Sequence, residues 1–218
     1  DWRSGYQDSD PPVIGFSHTH LSGTGIGDLF DITVMPVTGE VTPGRGSEDH
    51  PETGAWSYAD RTKEVVEPGY YSVPLERYGI TAEMTATARV GFHRYTFPAS
   101  ENAALVFDLE NGGCWDSVTD AGFEVVKDEK GQVTALGGHR FSSGWAKNQK
   151  VFFWAEFSRP AEVFSVVENP ANQNPARKPV YGRFSLGKTE EGGQVLVKVA
   201  LSPVSVEGAK ANMAAELP

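Results

Sequence analysis

Between Ile80 and Val90 apolar and polar side chains alternate without a break. Ile80, Ala82, Met84, Ala86, Ala88 and Val90 take one set of positions, and Thr81, Glu83, Thr85, Thr87 and Arg89 take the other. A period of two puts the two sets on opposite faces of an extended chain, so the stretch predicts a strand with one buried face. Beyond Gly91 the apolar register passes to Tyr95 and Phe97 before Pro98 ends the run. A bulge at Gly91 accounts for that slip. Segments 31–37, 69–75, 103–109, 123–127, 132–136, 151–157, 180–186 and 194–201 are rich in Val, Phe, Tyr and Thr and predict further strands. Turn residues at Lys127-Asp128-Glu129-Lys130-Gly131 and at Thr189-Glu190-Glu191-Gly192-Gly193 predict two hairpins, hence antiparallel pairing. Helical periodicity surfaces only at the end, where Ser205 caps a segment with Ala209, Met213 and Leu217 four residues apart. The fold expected is all-β, an antiparallel two-sheet sandwich with a short C-terminal helix.

Composition narrows the function classes. The 218 residues are 39% hydrophobic and 22% charged, a globular balance, and no apolar run reaches membrane-spanning length. A formal net charge of −10 opposes binding to phosphate backbones, which requires a basic face. A neutral or weakly charged ligand fits better. Cys114 stands alone, so neither an intrachain disulfide nor a cysteine zinc framework can form. The 24 glycines and 14 prolines punctuate short strands, with two irregular stretches at 42–54 and 169–179. One sandwich domain over 1–204 is expected, with 205–218 beginning a connection out of it.

The chemically densest stretch is Gly15-Phe16-Ser17-His18-Thr19-His20-Leu21-Ser22-Gly23-Thr24-Gly25-Ile26-Gly27-Asp28. Glycines let backbone approach a ligand closely, and hydroxyls and imidazoles hydrogen-bond sugar hydroxyls. Gly23-x-Gly25-x-Gly27 lacks the spacing and following helix of a dinucleotide loop. His18 and His20 share a face of an extended segment, yet two imidazoles leave a metal short of ligands; hydrogen bonds to carbonyls that lock the loop are the simpler role. No metal is assigned to this chain. Asp28 and Asp31 read as turn formers rather than as a glycosidase carboxylate pair. Trp154 reads as core, whereas Trp2, Trp56 and Trp115 have polar or glycine neighbours and suit a cleft that stacks on sugar.

The same 15–28 run resembles a signature of the glycoside hydrolase family 92 α-mannosidases. The resemblance extends through Met35-Pro36-Val37-Thr38-Gly39, Pro68-Gly69-Tyr70-Tyr71-Ser72-Val73, Tyr78-Gly79-Ile80-Thr81-Ala82-Glu83 and Gly91-Phe92-His93-Arg94-Tyr95-Thr96-Phe97-Pro98 to Val204-Ser205-Val206-Glu207-Gly208. It implies a galactose-mutarotase-like sandwich, shortened at its N-terminus, that packs on a C-terminal (α/α)6 barrel missing from this chain. It further implies a calcium-dependent, exo-acting, inverting α-mannosidase, of α-1,2 type, whose catalytic acid, base and calcium all belong to the barrel. Mannose-containing glycans are then the partner, the location is secreted, periplasmic or cell-surface, and the isolated chain is inactive. On this resemblance Trp2 and its neighbour Asp1 are the foremost sugar contacts, followed by His18, His20 and Thr24, with no catalytic residue in the chain. Arg3 departs from the pattern, which often has cysteine there, and this bears on fine specificity. A free-standing carbohydrate-binding sandwich and a structural interaction module are the alternatives.

Overall fold

The computed structural model describes residues 12–19, 29–44, 53–110, 116–167 and 181–218. In chain order their strands are β1 (Pro12–Val13), β2 (Thr33–Thr38), β3 (Ser57–Tyr58), β4 (Val65–Glu67), β5 (Tyr70–Leu75), β6 (Ile80–Ala86) and β7 (Val90–Phe97). There follow β8 (Ser100–Asp108), β9 (Ser117–Lys127), β10 (Val133–Ser143), β11 (Gln149–Ala161), β12 (Val163–Val167), β13 (Tyr181–Thr189), β14 (Gly193–Ser202) and the helix α1 (Val206–Glu216). An eight-stranded sheet in the order β4-β5-β6-β7-β14-β11-β10-β9 faces a four-stranded sheet in the order β12-β13-β8-β2, and β1 pairs with β3. Every strand pair is antiparallel.

The core lies between the two sheets, where inward side chains interdigitate as in any aligned sandwich. Phe107 of β8 stacks on Phe153 of β11 at 6.4 Å between ring centroids, and Phe184 of β13 stacks on Phe157 at 3.8 Å. A second, smaller core forms on the outer face of the large sheet. There α1 lays Val206, Ala209 and Met213 over Val90, Ala135, Trp154 and Ala200. Trp154 is buried as expected, but under the helix rather than between the sheets. Ser205 caps α1 as its spacing predicts, its hydroxyl accepting from the Gly208 amide at 3.0 Å.

Two sequence expectations fail on topology. The 80–90 alternation is two strands: β6 ends at Ala86, and β7 returns in unbroken register through Ala86↔Gly91 to Thr81↔Thr96, so Gly91 is no bulge. The reversal at 87–89 contains no glycine, proline or asparagine; it closes through the Thr87 amide on Val90 O at 2.9 Å and is anchored by Glu216 of α1, which accepts from the Thr87 hydroxyl at 2.5 Å and the Arg89 amide at 2.9 Å. The second failure is the hairpin at 189–193. That tight turn carries the chain from one sheet to the other, since β13 pairs with β12 and β8 while β14 pairs with β7 and β11. Register breaks at Gly187 and Thr189 twist β13 away before the turn. The 127–133 hairpin forms as predicted, with the Asp128 amide bonded to Gln132 O at 2.9 Å.

Pairing register also defines the ends of the sandwich. Thr33, Asp108 and Tyr181 lie side by side in the small sheet. Ala86, Gly91, Val199 and Ala155 line up across the large one, and Ser143 meets Ser117 beyond them. The segment before β2 is stitched to both sheets at this end: Phe16 bridges Val34, and Arg140 of β10 reaches Asp31.

Candidate functional site

Residues 15–19 and 29–32 lie side by side at that end. The His18 amide donates to Asp31 O at 3.0 Å and the Phe30 amide to Thr19 O at 2.9 Å. Leu29, Phe30 and Ile32 hold positive φ of 74°, 61° and 55°. Side chains with a Cβ, and branched Ile32 above all, avoid this left-handed region at a cost of order 1–3 kcal/mol each. Such strain persists only where the surroundings over-determine it. Two buried polar networks do so here.

The first runs from the loop into the large sheet. His18 places Nδ1 2.6 Å from Ile32 O and Nε2 3.0 Å from Nε2 of His93, while His93 Nδ1 lies 2.6 Å from the Tyr95 hydroxyl. A carbonyl accepts only, so His18 carries its proton on Nδ1 and presents Nε2 as acceptor. His93 must then donate from Nε2, leaving its Nδ1 to accept from Tyr95. All three groups are satisfied when both imidazoles are neutral. The rings stack at 4.9 Å. Burial lowers the His18 pKa to about 4 against the raising effect of the Ile32 carbonyl. Burial and then the neighbouring His18 hold His93 well below the usual histidine range. Both nitrogens of His18 are thus committed inside the protein, and its role is to hold the loop.

Gly91 makes that stacking possible. A Cβ built there meets His18 Cδ2 at 2.7 Å, and the ring, pinned by two hydrogen bonds, has no free end to give way. Gly91→Ala is expected to destabilise the domain by about 1–3 kcal/mol in urea unfolding; a change below a few tenths would show that the ring is not held there.

The second network lies at the same end, between the sheets. Asp31 is fully buried, accepting on Oδ1 from Arg140 at 2.5 Å and on Oδ2 from Gln149 at 2.6 Å and the Thr19 hydroxyl at 2.6 Å. The Thr19 oxygen in turn accepts from the Asp31 amide at 2.9 Å. Asp31 is therefore a buried anchor and not the surface turn former its sequence setting suggested. Arg140, also fully buried, pairs with Asp116 at 2.5 Å and donates from Nε to Leu109 O at 2.8 Å. Burial raises the Asp116 pKa, opposed by Arg140 and Ser142. The two carboxylates share one guanidinium inside the core, which suits neither for protonating a leaving group or activating water.

Of the residues expected to touch sugar, His18 and Trp56 are described, and Asp1, Trp2, His20 and Thr24 lie outside the described residues, as do Asp28, Trp115 and Cys114. Trp56 is half-buried, edge-on to Tyr58 and under Arg77, at the opposite end of the sandwich from His18. Sequence reasoning did not single out His93, Tyr95, Arg140 or Gln149. The alternation through Tyr95 and Phe97 does put His93 on the inward face. Arg140 left no such signal, because its inward neighbours Gly138 and Ser142 make β10 look polar where it is buried.

Calcium takes six to eight oxygen ligands. Among the described residues no three His, Cys, Asp or Glu side chains stand close enough to hold a metal. The Asp31 oxygens are already occupied, so these residues do not fit the ion and no step is routed through it. No described helix is long and apolar enough to cross a membrane.

Fold and site together define an antiparallel sandwich domain with a strained segment locked onto one end by a half-buried histidine on a buried one and by a buried ion-pair network. The profile described as the glycosyl hydrolase family 92 N-terminal domain matches residues 1–202, and the chain belongs to this family. The family 92 α-mannosidase BT3965 from Bacteroides thetaiotaomicron superposes with a TM-score of 0.86 at 33% identity, covering 98% of this chain and 29% of that one. Its complex with mannoimidazole superposes at 0.85, again at 33% identity and with the same coverage. The family 92 glycosyl hydrolase ccman5 gives 0.80 at 28% identity, covering 99% of this chain and 29% of that one. The chain thus spans less than a third of the length of these solved relatives. No curated protein matches it.

Proposed function

We propose that this chain supplies one wall of the mannose-binding cleft of an exo-acting, calcium-dependent, inverting α-mannosidase, of α-1,2 type, acting on mannose-containing glycans outside the cytoplasm. The similarity over residues 1–202 to the family's N-terminal domain, at 33% identity to an α-mannosidase solved with mannoimidazole, carries the reading. The 15–19 and 29–32 segments serve it by fixing both flanks of the glycine-rich run at the sandwich end. Asp1, Trp2, His20 and Thr24 are the proposed sugar contacts, with Trp2 stacking on the pyranose face. Inversion needs an acid to protonate the leaving oxygen and a base to activate water across the ring. Asp31 and Asp116 are tied to Arg140, so both groups, and the calcium, are proposed to reside on a C-terminal barrel.

Incubation of the 218-residue chain with an aryl α-mannoside and calcium is expected to release no mannose, while a family member carrying the C-terminal region releases it. Hydrolysis by the 218-residue chain itself, in material free of host mannosidase, would overturn the assignment.

A further inference from the structure

At the end of the sandwich opposite His18, three hydrogen-bond donors are buried with no partner among the described residues: Trp56 Nε1, the Tyr78 hydroxyl and Arg183 Nη1. β2 separates the two ends, since it begins at Thr33 beside the strained loop and finishes at Thr38, roughly 17 Å away. Buried polar groups are almost always paired, because an orphan forfeits its hydration for nothing. Tyr78 is 4% exposed, so its hydroxyl has no ready access to bulk water.

Four segments bring these donors together. The Thr38 hydroxyl bonds Tyr78 O at 3.4 Å, and Arg183 Nη2 bonds Gly39 O at 2.9 Å, tying the turn after β5 and the side chain from β13 to the end of β2. Arg77 Nη1 donates to Gly54 O and Trp56 O at 3.0 Å each. Its guanidinium carbon sits 5.3 Å from the Trp56 ring centroid and 5.2 Å from that of Tyr78. Arg77 is exposed, whereas the Arg183 side chain is only 11% exposed. The one carboxylate paired with Arg183 among the described residues is Glu40, 82% exposed and 3.6 Å away, a loose contact on the rim.

Indole and guanidinium N–H groups donate and cannot accept. Whatever completes this cluster must therefore offer several acceptors, and two cations beside it favour negative charge. We infer that Trp56, Arg77, Tyr78 and Arg183 form a binding site for a single small oxyanion group, a carboxylate or phosphate. The phenol is held in its donor form there, since burial pushes Tyr78 up to about 12 against the lowering influence of Arg77 and Arg183. The site lies apart from the mannoside end and does not depend on that reading.

Calorimetric titration of the 218-residue chain with inorganic phosphate and, separately, acetate, against chloride at matched ionic strength, tests the inference. Saturable binding of at least one oxyanion is expected, weakened roughly tenfold or more in Arg183→Gln through loss of a charge-assisted donor. Tyr78→Phe should also weaken it, while its thermal midpoint in chloride does not fall, because that variant removes a buried orphan. Absence of saturable heat with both anions would assign the donors to buried water and overturn the site. Unchanged affinity in Arg183→Gln would do the same. If that variant does not fold, unchanged affinity in Tyr78→Phe serves as the overturning result.

Discussion

Arg140→Met is expected to cost about 3–5 kcal/mol in urea unfolding, among the largest effects of any single substitution in the chain. Removal of the guanidinium strips the buried Asp31 and Asp116 carboxylates of their shared counter-charge and the Leu109 carbonyl of its donor. The cost arises from charges left behind and not from the worth of the pair, because burying both partners already consumed most of their mutual attraction. Asp31→Asn in the same background should recover part of the loss, since it neutralises one stranded carboxylate while keeping an acceptor for Gln149 and Thr19. Loss below about 1 kcal/mol in the single variant would mean that water reaches the network.

Acidification from pH 7 to pH 5 is expected to destabilise the fold, by about 2 kcal/mol from His18 alone and further through His93, in a range where most carboxylates stay ionised. The sign follows from the histidine pair. His18 is held near 4 and His93 well below the usual range in the folded chain, against about 6.5 for each when unfolded. Between those values the unfolded chain binds more protons, so stability is full above pH 6.5 and falls as pH drops toward 4. A second proton on His18 would also set two Nε2–H groups against each other at 3.0 Å. Asp116, raised by burial, acts in the opposite sense at the acid end of this window. Unfolding free energies measured at several pH values should therefore fall between pH 6 and pH 5 with a slope approaching one proton per molecule from His18, steepened by His93. A flat profile there would rule out the neutral pair, and His93→Gln should lower the slope.

What was legible in the sequence was whatever a local period or a local turn encodes. The β9–β10 hairpin was readable because Asp128 and Gly131 make their turn from their own atoms; Asp128 Oδ1 accepts from the Lys130 and Gln132 amides at 2.9 Å each. The reversal at 87–89 was not, because it carries no turn residue to announce the Thr87 to Val90 closure, and Glu216, 127 residues beyond Arg89, adds the bonds that anchor it. A period of two also runs straight through such a turn when Thr87, Ala88 and Arg89 continue the alternation. Gly91 was read as a bulge, whereas what it provides is room for a histidine ring 73 positions earlier. The site divided the same way. The 15–28 run stood out by composition, whereas His93 and Arg140 join it only once two sheets are assembled. Buried charge gives no periodic signal, so the β10 strand was read as ending at Leu136 when it continues to Ser143.

The placement of β14 sets the order in which the molecule can be built. It is the penultimate element of the chain, yet it lies between β7 and β11, so two meanders, β4 to β7 and β9 to β11, join through it alone. While the chain is still emerging from the ribosome, each meander carries an open edge waiting for a partner that has not yet been translated. Such edges invite strand exchange with other nascent chains until residues 193–202 arrive to cover them.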